Sequence, residues 1–145
     1  MAEAVGTARH LAARLRRSLD WLAPHLLLDA ETLPVLDAAH GEALDAFLLR
    51  FENLANHLQG SVFRRIAMEE EGRDPARMSR RDVVELMDRL GRIPSAAAFL
   101  DAARIRNILF HVYPDEPAKS AAILDRAAAA RVLLETVAML PEAGA

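Results

Sequence analysis

Cysteine is absent from the 145 residues. That excludes disulfides, thiolate metal ligands and a cysteine nucleophile, and it suits a reducing compartment. Lysine is almost absent too: of 18 basic residues only Lys119 is lysine, and the rest are arginine. Aromatic residues make up 5%, with one tryptophan and one tyrosine. No apolar run approaches the length of a membrane span. The first stretch, MAEAVGTARHLAARLRR, lacks a continuous apolar core of signal-peptide length. These absences predict a cytoplasmic protein with no membrane association. Period-two alternation is missing as well, which argues against strands and for an all-α domain.

What is present is alanine, leucine and arginine. The hydrophobic fraction is 52%, enough to fill one core in a chain of this length. The net charge of -3 predicts no bulk attraction to nucleic acid. Arginine's planar fork nevertheless suits local phosphate binding better than a lysine point charge.

Leu11, Leu15, Leu19, Leu22 and Leu26 repeat at helical spacing and predict a first helix from about residue 7 to 23 or beyond. Pro24 and Pro34 predict a bend and a short helical turn over APHLLLDAETLP. Leu44, Phe47, Phe51, Leu54, Leu58, Val62 and Ile66 mark a long second helix ending near Gly72. Gly60 lies inside it, marking a kink or a close helix–helix approach. GRDPARM reads as a loop. Ser79 with Asp82 three residues on resembles a capping arrangement for a third helix carrying Val83, Met87 and Leu90. Gly91 and Pro94 end that helix. Ser95 can cap a fourth, AAAFLDAARIRNILFHVY, which stops before Pro114. A fifth opens around Glu116 and Pro117. With no repeat, linker or boundary, residues 1–145 are expected to form one domain, an antiparallel up-down bundle of four to five helices.

The stretch RIRNILFHVYPD, residues 104–115, gathers Arg106, Asn107, His111 and Tyr113. On a helical wheel Ile105, Ile108, Leu109 and Val112 fall on the core side, while Asn107 and His111 stack at i and i+4. Phe99, Ala103, Arg106 and Phe110 form a second stripe. Placed away from the core, that stripe predicts packing of Phe99 and Phe110 on another subunit. Arg106 and His111 have the chemistry for metal-free RNA cleavage. A guanidinium holds the scissile phosphate and stabilises charge developing on its oxygens. An imidazole serves as general base or acid near neutral pH. One histidine cannot easily do both jobs, and a two-fold dimer would supply the pair. Asn107 is suited to orienting a phosphate or a base, and Tyr113 to stacking on a base or accepting a transferred group. The plainer reading of the same residues is a solvated polar face.

Elsewhere, His10, His25, His40 and His57 are scattered and no His-Glu-X-X-His spacing exists, so no metal is expected. RLRR (Arg14 to Arg17), Arg64 with Arg65, and Arg77 to Asp82 read either as an RNA path or as solvated helix faces and caps, the latter being the simpler. Asn53 and His57 have i,i+4 spacing. Asp45 and Arg50 read as supports for the site or as an ordinary surface ion pair.

RNILFHVY resembles the Arg-X4-His-X-Tyr motif, with Asn at the first X, of the HEPN superfamily and especially its HepT-like toxins. LDAFLLRFENLANHLQGSVFRRI resembles the long second helix of those proteins. MDRLGRIPSAAAFLDAARIRNILFHVYPDEP resembles their third and fourth helices, so the likeness covers roughly residues 40 to 140. It implies a dimeric helical bundle that acts as a metal-independent endoribonuclease toxin and needs no cofactor. Arg106 and His111 would be catalytic and Asn107 supporting. The implied partner is an MNT-type nucleotidyltransferase antitoxin that transfers AMP to Tyr113. A related branch of nucleotidyltransferase substrate-binding proteins, not established as catalytic, shares the fold and implies a binding module instead.

Overall fold

Alanine-rich amphipathic stretches dominate the computed structural model, which describes residues 1–26, 38–108 and 116–141. Among the described residues every regular element is helical: α1 (Ala2–Leu26), α2 (Ala38–His57), a π turn (Leu58–Val62), α3 (Phe63–Glu71), a 3-10 turn (Pro75–Arg77), α4 (Arg80–Arg89), α5 (Ala96–Ile108) and α6 (Glu116–Ala138). Since α2, the π turn and α3 follow one another without a break, the molecule is an all-α bundle of five rods.

The first helix begins at residue 2 rather than about 7 and runs through Pro24 to residue 26. Its first turns are helical because they bury small residues: Ala4, Val5, Ala8 and Ala12 join Leu15, Leu19 and Leu22 inside, with Leu11 at the edge of the core. Leucine spacing alone underestimated this face, since alanines carry its first half. Pro24 has no N–H to donate, so α1 passes through it with one ladder hydrogen bond missing, and the remainder of the predicted bend, residues 27–37, lies outside the described residues.

The second rod buries Phe47, Phe51, Leu54, Leu58, Val62, Phe63 and Ile66 completely. It runs antiparallel to α1, since Arg50 reaches Ser18 while His57, seven residues on, reaches Ala4. In the π turn the Phe63 N–H donates to the Leu58 carbonyl, closing an i to i+5 bond. Gly60 sits in this turn, exposed, and a Cβ there would meet nothing within 4 Å. The irregularity is therefore a π turn, and among the described residues no neighbouring helix approaches Gly60. Gly72, at φ 61, ends the rod; the Arg73 N–H donates to the Ala67 carbonyl (3.2 Å), six residues back. Glycine relieves the strain of that left-handed position.

Asp74 opens the 3-10 turn inside the predicted loop by accepting from the Ala76 N–H at 3.0 Å. The capping box at α4 is present: Ser79 Oγ accepts from the Asp82 N–H (3.0 Å), and Asp82 Oδ2 accepts from the Ser79 N–H (3.4 Å). Val83, Val84, Leu86 and Met87 go inside. Gly91, at φ 70, ends the helix. Helix α1 packs on α2 and α6, α5 packs on α6, and α4 lies against both α3 and α5. One hydrophobic cluster draws on all six helices. An Arg9 Nη2 bond to the Pro141 carbonyl (3.0 Å) ties the start of α1 to the end of α6. No helix among the described residues is long and apolar enough to cross a membrane.

Candidate functional site

Helix α5 carries the first half of the motif, and its N-terminal end is firmly held. The Ala98 N–H donates to Ser95 Oγ (3.3 Å), and the Ala96 N–H donates to Asp88 Oδ2 of α4 (2.8 Å). Two of the orphan donors of the first turn are thereby satisfied. One turn on, Phe99 is fully buried and its ring lies 5.0 Å from that of Phe63, tilted by 59°. This tilted contact is favourable for two aromatic quadrupoles. Ala102 and Ala103 are buried beside it, whereas Asp101 and Arg104 are exposed.

These positions correct one expectation. The stripe containing Phe99 and Ala103 faces the core, so an exposed phenylalanine at position 99 cannot be the anchor for a second subunit. The wheel placed the core on the side of Ile105 and Ile108 because it weighed β-branched residues over alanine. In the bundle, the small Ala102 and Ala103 allow close packing, and Phe99 fills the space beside Phe63. Phe110, the other member of the proposed contact, lies outside the described residues.

Helix α5 is described to Ile108, so the backbones of Arg106 and Asn107 stand on its last described turn. In the sequence Arg106 follows Phe99 at seven residues and Ala102 at four. The side chains of Arg106 and Asn107, and all of His111 and Tyr113, lie outside the described residues.

The other sequence candidates are distributed between structural work and one surface feature. His57 Nε2 lies 2.7 Å from the Ala4 carbonyl, which can only accept, so the ring donates and ties α2 to α1. The nearby Asn53 is exposed. Arg64 donates to the Pro75 carbonyl at 2.8 Å and holds the 3-10 turn against α3. Arg77 pairs loosely with Asp74 at 3.8 Å on the surface. Arg92, in the turn before α5, pairs with Glu70 of α3. Arg50 makes no ion pair with Asp45; its Nη1 donates to Ser18 Oγ (2.5 Å) and to the Arg14 carbonyl (3.3 Å) instead.

Arg50 thereby completes a basic groove. His10, Arg14 and Arg17 project from successive turns of α1 and, with Arg50 of α2, line a surface cavity of about 440 Å³. Arg17 and Arg50 also line a neighbouring cavity of about 290 Å³ with Ser18, Trp21, Ala43 and Ala46. Trp21, the only tryptophan, is 50% exposed. Part of this groove was visible in RLRR and in the i, i+4, i+7 spacing of His10, Arg14 and Arg17. The contribution of Arg50 was not, since it depends on helix pairing across 32 residues. Among the described residues no three His, Asp or Glu side chains are grouped to hold a metal ion.

No family model matches the chain, and neither a curated protein nor a solved structure matches it.

Proposed function

We propose that the protein is a metal-independent endoribonuclease toxin of the HepT-like kind, working through Arg106 and His111. The observation that carries this reading is the sequence run Arg106, Asn107, His111 and Tyr113, which begins on a helix anchored in an all-α bundle. A short polar motif needs a rigid support to hold reacting groups in place. The capped, core-packed N-terminal part of α5 supplies one.

In the proposed reaction the RNA 2′-hydroxyl attacks the adjacent phosphorus while His111 accepts its proton. The bond to the 5′-oxygen breaks, that oxygen leaves with a proton, and a 2′,3′-cyclic phosphate remains. Arg106 neutralises charge building on the non-bridging oxygens. The second proton transfer falls to His111 of a second copy, so the active form is a homodimer. Asn107 positions the phosphate. The partner is an MNT-type nucleotidyltransferase: the Tyr113 hydroxyl gives up its proton to solvent as its oxygen attacks the α-phosphorus of ATP, pyrophosphate departs, and AMP stays on the phenolic oxygen. The added phosphate would occupy the anion site beside Arg106 and repel RNA.

The test is cleavage of a mixed RNA substrate in excess chelator by wild type, Arg106→Ala and His111→Ala. Wild type alone is expected to cleave, leaving cyclic-phosphate ends. Cleavage that persists in both variants overturns the reading. Silence from all three proteins overturns it too and favours a non-catalytic HEPN module that presents substrate to a nucleotidyltransferase.

A further inference from the structure

The basic groove between α1 and α2 lies apart in sequence from the motif, and the cleavage reaction does not use it. His10, Arg14 and Arg17 are all exposed on α1. From residue 10 to residue 17 the row extends about 10 Å along the helix. Among the described residues no carboxylate lines either of its two cavities. Among the described residues none of Arg14, Arg17 and Arg50 has an ion-pair partner, although the chain as a whole is acidic. Unneutralised like charges repel each other, so collecting them in one groove raises the local potential for an anion.

Arg50 adds a geometric argument. Both of its hydrogen bonds to described residues leave from Nη1, to Ser18 Oγ and the Arg14 carbonyl. The guanidinium plane is thereby held, while the Nε–Nη2 edge has no protein partner among the described residues. That edge offers two parallel donors, the arrangement suited to bidentate phosphate binding. Cations spread along a row match a repeating charge better than a single anion. The half-exposed Trp21 at the end of the row offers an indole for a base to stack on.

We propose that the α1–α2 groove binds the phosphate backbone of single-stranded RNA through Arg14, Arg17 and Arg50. The choice of RNA as occupant rests on the ribonuclease reading; the groove's affinity for a polyanion does not.

The experiment uses full-length His111→Ala protein, so that RNA is bound without being consumed. A labelled single-stranded RNA about a dozen nucleotides long is titrated by anisotropy at several salt concentrations. Binding should be salt-dependent and should change the fluorescence of Trp21. Adding Arg14→Glu and Arg17→Glu should weaken it by about tenfold or more and reduce the logarithmic salt slope by about 1.4, or two phosphate contacts. The same pair of reversals at exposed Arg80 and Arg81 of α4 is the control for net charge. Circular dichroism melts verify that both variants fold.

Equal losses in the groove and control variants overturn the proposal, as does unchanged binding in the groove variant. Displacement of the RNA by polyglutamate at equal charge concentration also overturns it, and assigns the groove to an acidic protein. The two readings fail separately. Groove-dependent binding by a wild-type protein that cleaves nothing leaves the groove standing and removes the nuclease. Cleavage without groove-dependent binding does the reverse.

Discussion

Phe99 shows how much one side chain can decide. It is fully buried against Phe63, although a wheel weighted toward leucine and isoleucine puts it on the far side of the helix. Truncating a phenylalanine in such a site removes transfer energy and leaves a cavity. Phe99→Ala is therefore expected to cost about 3 to 5 kcal/mol in urea or thermal unfolding. A surface phenylalanine would change stability by roughly 0.5 kcal/mol or less, so a small effect would contradict the packing described above. Arg50 makes a similar point for polar residues. Its sequence neighbour Asp45 suggested an ion pair, yet the guanidinium bonds a hydroxyl and a backbone carbonyl on α1. Sequence proximity along a helix selects possible partners; the neighbouring helix selects the actual one.

Among the elements, the long rod of α2, π turn and α3 is the most instructive. Its apolar repeat predicts a continuous helix ending near Gly72, and the left-handed glycine ends it there. The π turn is invisible in that repeat because the buried face is wide enough to absorb one extra residue, with Leu58, Gln59 and Val62 all buried in the turn. Gly60 is not required by the turn's backbone sign, since only Gly72 and Gly91 have positive φ among the described residues. With open space at its Cβ position, Gly60→Ala should stabilise the protein by about 0.5 to 1 kcal/mol through the unfolded chain. The measurement is a denaturant midpoint, and a loss of stability would show that the π turn depends on the glycine. The start of helix α4 was legible because its capping box is local chemistry, written within Ser79 to Asp82.

For the whole molecule, the five rods close around one core, and the ends of the chain's helical path meet where Arg9 bonds the Pro141 carbonyl. The proposed nuclease needs a second His111, and burial of Phe99 removes one surface once expected to hold two copies together. Dimerisation is therefore a separate test of the functional reading. Sedimentation of the purified protein should give about twice the 15.9 kDa chain mass under the conditions in which RNA is cleaved. Cleavage by a strictly monomeric species would show that one imidazole serves both proton transfers or that another group supplies the second.

The sequence by itself determined the all-α class, the second rod and the box at α4, because helical periodicity and caps are read over a few residues. It also supplied the motif that carries the functional proposal, of which Arg106 and Asn107 lie on α5. Only the tertiary structure decided which face of α5 is inside, that α1 begins with buried alanines, and that Arg50 joins the arginines of α1 in a groove. Those outcomes depend on the shape of the space between helices far apart in the chain. Small residues gain their importance there from what they let approach, which no scale of side-chain hydrophobicity records.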